Sequence, residues 1–128
     1  MIVRYREDLL DSAQHVETKL WTSSRFFTKK DGLGFSLHET IIHANTEQIL
    51  WYKHHIEAVI ITEGIAEIVN LATGETHPLK AGSAYALTGD RHIFRTFTKV
   101  VCYCVFLPGL SGDEVPDKDG AYPLDTGA

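Results

Sequence analysis

The stretch that most constrains this chain is residues 51–64, WYKHHIEAVIITEG. Glu57, Val59 and Ile61 recur at period two, so on a strand all three point to one face. A carboxylate on a face of buried aliphatics carries a desolvation cost unless it finds a partner. A metal ion or a cationic ligand is such a partner; a solvated glutamate at a strand end is the plainer alternative. Six residues after Glu57 comes Gly64, a turn signal. A second stretch, KAGSAYAL at 80–87, places Gly82 two residues before Tyr85.

Around these stretches the chain reads as many short strands. Strands are predicted at 21–27, 35–43, within 49–63, and at 65–71, 85–87 and 99–107, with 76–79 leading to a corner at 80–82 and a turn at 89–90 leading into 92–97. Turn residues separate them: Lys29 to Gly32, Glu63–Gly64, Ala72 to Glu75 and Gly89–Asp90. On 35–43, Phe35, Leu37, Glu39 and Ile41 share one side and Ser36, His38, Thr40 and Ile42 the other. A short N-terminal helix is expected over residues 7–20, with Leu9, Leu10, Ala13 and Val16 on one face. The tail, 111–128, is rich in Gly, Asp and Pro and is expected to be irregular. Strands at intervals of about 8–12 residues predict an all-β barrel or sandwich. With 128 residues, one domain spanning 1–128 is expected.

Composition narrows the partners. A net charge of −5 argues against nucleic acid and against an anionic membrane surface. No apolar run is long enough to span a bilayer as a helix. Charges within MIVRYREDLL make export unlike the expectation, and a cytoplasmic location is expected. Cys102 and Cys104, two apart on one strand, suit a disulfide poorly and are expected as reduced thiols.

The Glu–Gly and Gly–Tyr spacings are the skeleton of the two motifs of the cupin barrel, a jelly-roll whose interior holds one small ligand. The usual first-motif histidines are missing: their places fall on Leu50 and Tyr52, or on Trp51 and Lys53. Tyr85 stands where the second motif has its histidine. Glu57 is therefore the leading ligand candidate. Tyr85 joins it through its slot, and His92 is the natural third member, although Asp90 and Arg91 beside it suggest exposure. Carboxylate, phenolate and imidazole form a mixed O/N set that suits iron or manganese, with zinc possible. His55 shares parity with Glu57 and is the inward member of the His54–His55 pair.

With YKHHxEAV at 52–59 and FxPGLxGxEV at 106–115, the chain resembles the ectoine synthases. The resemblance runs from MIVR at 1–4 through Trp21, Ser24–Arg25, Gly34 to Ser36, Thr40, Tyr85 to Leu87 and Cys104 to Phe106, to Asp119–Gly120. It implies a cupin that closes N-γ-acetyl-L-2,4-diaminobutyrate to ectoine with loss of water, a hydro-lyase of compatible-solute biosynthesis. It also implies a single Fe(II) on Glu57, Tyr85 and His92, substrate contacts from Trp21, Arg25, Thr40, Tyr52, Phe106 and Glu114, His55 and Cys104 near the site, and a homodimer. Tyr52, His55 and Glu114 are the candidates for moving protons.

Several positions depart from the family pattern. Ile60 replaces a Tyr, His38 stands where Asn is common, Pro116 where His is common, and LTGDRH is one residue short of the usual segment before His92. These changes suggest a divergent member with an altered pocket. The alternatives are a metal-dependent cupin for another acylated diamino acid, or a non-catalytic cupin that binds a small ligand.

Overall fold

A computed structural model describes residues 1–110. Among them ten strands form two antiparallel sheets. The strands are β1 (His15–Glu17), β2 (Trp21–Phe27), β3 (Ser36–Ile42), β4 (Glu47–Leu50), β5 (Ile56–Glu63), β6 (Ile65–Asn70), β7 (Thr76–Lys80), β8 (Ala84–Leu87), β9 (His92–Thr96) and β10 (Val100–Leu107). The larger sheet has the order β1-β2-β3-β10-β5-β8, the smaller β4-β9-β6-β7. Among the described residues the fold is all-β, with one short α-helix, α1 (Arg6–Leu9), and a 3-10 turn at Lys29–Asp31.

The core lies between the sheets, and alternation on the central strands β5 and β10 fills it. On β5, Glu57, Val59 and Ile61 are buried while Ala58 and Ile60 are exposed. On β10, Val100, Cys102, Cys104 and Phe106 point inward. This nearly all-apolar strand sits between β3 and β5, where a sheet's middle excludes most water. Gly64 joins β5 to β6 at φ 103°, and a Cβ there would stand 2.2 Å from the Lys99 carbonyl oxygen. Only glycine fits that approach.

The N-terminal segment differs from expectation. Instead of a helix over 7–20, α1 covers Arg6–Leu9 and the chain then pairs with β2 through β1. Ser12 ends the helix: its hydroxyl donates to the Leu9 carbonyl (2.8 Å) and accepts from the Gln14 N–H (3.1 Å), the competition with helical bonding typical of serine. The Gln14 carbonyl then accepts from the Arg25 N–H (2.9 Å). Cross-strand partners thus override a weak helical pattern.

Two ion pairs tie the N-terminus to the barrel. Arg4 meets Asp31 in a forked contact at 2.7 and 2.8 Å. Arg6 meets Glu39, which is buried on the outer face of β3 and also accepts from the Tyr103 hydroxyl. Asp31 further accepts from the Thr28 N–H (2.9 Å). The tail, 111–128, lies outside the described residues, and with it Glu114 and Pro116.

The hydrogen bonds from Arg4 hold the Asp31 carboxyl below its usual range. Its contribution is therefore complete above the unfolded pKa, near 4, and fades as pH falls through the depressed folded value. Asp31→Asn is expected to lower stability by about 1 kcal/mol at pH 7. Urea unfolding of both proteins across pH should show that difference shrinking below about pH 4.

Candidate functional site

One cavity opens between the sheets, and alternation on the strands dictates what lines it. From the larger sheet come Trp21, His38, Thr40, Ile42, Glu57 and Tyr85, with Cys102, Cys104 and Phe106 of β10. From the smaller sheet come Gln48, Leu50, His92 and Phe94, and Tyr52 reaches in from the loop before β5. The space it encloses is about 50 Å³, room for an ion and a few water molecules as the side chains stand.

The strand register gives the cavity an order. Arg25 pairs with His38, His38 with Cys104, Cys104 with Val59 and Val59 with Tyr85. These five residues form one row across the larger sheet. In a neighbouring row Ser36, Phe106, Glu57 and Leu87 stand side by side. A fully buried arginine therefore marks one end and the Glu57–Tyr85 pair the other.

Burial sets the electrostatics. Glu57 is 5% exposed. Burial first, then the neighbouring Cys104, pushes its carboxyl well above the usual range. Burial, with Glu57 and the two cysteines nearby, likewise raises the Tyr85 phenol. Two acids facing one cavity thus share a reason to accept a cation, which would reverse both shifts.

His92 completes the group from the opposite sheet. It is 1% exposed, contrary to the exposure that Asp90 and Arg91 suggest. The chain turns inward at β9, and the backbone of Asp90 supplies its partner: His92 Nδ1 donates to that carbonyl at 3.0 Å. A carbonyl only accepts, so the neutral ring keeps its lone pair on Nε2, the arrangement a metal-ligating histidine needs. Burial holds the ring below its usual pKa, partly offset by Asp90. Among the described residues no three His, Cys, Asp or Glu side chains gather as a metal-holding group. Glu57, Tyr85 and His92 all line the cavity, and carboxylate, phenol and imidazole are a mixed O/N donor set.

The remaining candidates fall into place around this group. Phe106, 2% exposed, meets the Tyr52 ring edge-on (5.3 Å), the His55 ring edge-on (5.8 Å) and the His38 ring (5.4 Å). Tyr52 also lies 5.9 Å from the His92 ring. His55 is buried, as parity predicts, and its Nδ1 donates to the Pro108 carbonyl at 2.9 Å, whereas His54 is exposed. Cys102 and Cys104 are free, buried thiols 3.9 Å apart. Arg25 and His55 stand beside the cavity's lining residues rather than among them. Glu114 lies outside the described residues.

Two departures from the family pattern are now distinguishable. Ile60 points out of the barrel, 46% exposed, so it does not shape the cavity as expected. His38 does line it. Gln48, Leu50 and Phe94 also line it without having been singled out. Phe94 sits two residues after His92, so period two alone would have found it.

The fold and its internal site define the class: this is a cupin-type barrel, and it superimposes on the Schizosaccharomyces pombe Cnp3 cupin domain with a TM-score of 0.61 over 73% of this chain and 67% of that one, at 16% identity. The sequence model for ectoine synthase matches residues 1–126. An L-ectoine synthase of Streptomyces anulatus is 46% identical over 97% of this chain and 96% of its own. The crystal structure of ectoine synthase from P. lautus overlays with a TM-score of 0.87 at 41% identity, covering 100% of this chain and 96% of that one. The chain belongs to the ectoine synthase family, and at this identity it is not a divergent member.

Proposed function

We propose that this chain is an L-ectoine synthase, an iron-dependent hydro-lyase that cyclises N-γ-acetyl-L-2,4-diaminobutyrate to ectoine with loss of water. The observation that carries the reading is the meeting of Glu57, Tyr85 and His92 at one cavity, in a chain 46% identical to a relative named L-ectoine synthase. Glu57, Tyr85 and His92 would hold a single Fe(II). When bound, the ion supplies a Lewis acid for the acetamide carbonyl oxygen.

The chain's own residues do the rest. Arg25, fully buried, pairs with the substrate carboxylate, an anchor that guanidinium geometry favours. Trp21, Thr40, Cys104 and Phe106 wall the folded substrate so that its α-amine lies near the acetamide carbon. That amine must lose a proton and the departing oxygen must gain protons. Tyr52, His55 and Glu114 are the groups proposed to move them. The product would serve as an osmoprotectant in the cytoplasm.

We propose further that the chain acts as a homodimer. Ala58, Ile60, Ala84, Ala86 and Val105 form an exposed apolar strip on the outer face of β5, β8 and β10, and an apolar patch of this kind marks an association surface. A second copy covering it would explain why Ile60 is apolar although it faces out.

Glu57→Ala is expected to lose bound iron and turnover together, measured by metal analysis after desalting and by NMR of the product. Full iron content with full activity in that variant would refute the ligand assignment. Ile60→Glu is expected to shift sedimentation from dimer to monomer while leaving iron content intact; an unchanged dimer would place the interface elsewhere.

A further inference from the structure

We infer that His38 recognises the substrate's α-amine, accepting a hydrogen bond from it at Nε2; this rests on the reaction proposed above and deepens it. His38 is 1% exposed, lines the cavity, and its Nε2 is buried without a hydrogen-bond partner. A buried polar atom left without a partner costs about 1–3 kcal/mol, so a ligand atom is the natural occupant of that position. Phe106 faces the ring at 5.4 Å, and among the described residues no hydrogen bond reaches Nε2.

The row across the sheet says which ligand atom it meets. Arg25, His38, Cys104, Val59 and Tyr85 follow one another. Of this row His38, Cys104 and Tyr85 line the cavity, with Arg25 beside it; a substrate whose carboxylate is held from the Arg25 side has its acetamide towards Glu57 and Tyr85. The α-carbon is bonded to the carboxylate carbon, so the α-amine comes over the next residue, His38. The chemistry agrees. Burial, then the charge of Arg25, then His55, hold the imidazole well below its usual pKa, so it is neutral. A neutral ring offers a lone pair to an N–H donor, and an amine is such a donor. His38 thereby selects an α-amino acid over an acid of the same length.

The test compares the substrate with 4-acetamidobutanoate, which keeps the carboxylate and acetamide and lacks the α-amine. In iron-loaded enzyme, His38→Leu should lower kcat/KM for the substrate by about 10-fold or more. It should leave the inhibition constant of 4-acetamidobutanoate within about 2-fold, since that ligand makes no bond to His38. His38→Gln, whose amide oxygen can take the same bond, should recover most of the loss and stand in if the Leu variant does not fold. Parallel weakening of substrate and analogue would overturn the inference, because His38 would then be only a wall. So would an unchanged kcat/KM in the Leu variant, or a folded Gln variant without activity. A wild-type enzyme that forms no product with iron bound would overturn the proposed reaction and this inference together.

Discussion

Everything in this barrel is arranged around one costly placement, a carboxylate inside the protein. Glu57 stands on the same face as Val59 and Ile61, and burial raises its carboxyl well above the usual range. A buried carboxyl with a buried phenol beside it is destabilising in isolation. In the proposed iron site a dication would offset that cost by binding both, with a neutral imidazole as a third donor. The Asp90 carbonyl fixes the orientation of the His92 ring. The apolar residues around the three groups then have a second role beyond stability: by excluding water they strengthen every interaction at the centre.

The larger sheet turns this local constraint into a site with direction. Because β2, β3, β10, β5 and β8 are in register, residues far apart in sequence become neighbours in rows. Arg25 is buried at one end and Tyr85 stands at the other. Phe106 lies at the centre, against Tyr52, His38 and His55. The ion pairs of Arg4 and Arg6 lie outside this arrangement. They hold the N-terminal segment against the strands that carry the Arg25 and His38 row.

Much of this was legible in the sequence because a strand has period two. The inward set of β5 and the burial of His55 follow from parity, and the strand at Trp21–Phe27 from its aromatic and hydroxyl content. Parity identifies the two faces of β3 but not which one is inside. Hydrophobicity favours the Leu37 and Ile41 face, yet Ser36, His38 and Ile42 are the buried ones: His38 and Ile42 line the cavity, and the Ser36 hydroxyl accepts from the Leu110 N–H (3.0 Å). Glu39, on the outer face, is buried all the same, since Arg6 and Tyr103 cover it. The N-terminal helix was misread because its apolar spacing is local, whereas the pairing of β1 with β2 is not. His92 looked exposed because charged neighbours in sequence say nothing about a backbone that turns inward.

The central claim is that this buried constellation is an iron site that closes the ectoine ring. Its most direct test is an anaerobic incubation of purified protein and Fe(II) with N-γ-acetyl-L-2,4-diaminobutyrate, followed by NMR. The account predicts the cyclic product, abolished by a chelator and restored by added Fe(II). Product formation that continues in full after the metal has been stripped, or none with iron demonstrably bound, would contradict it.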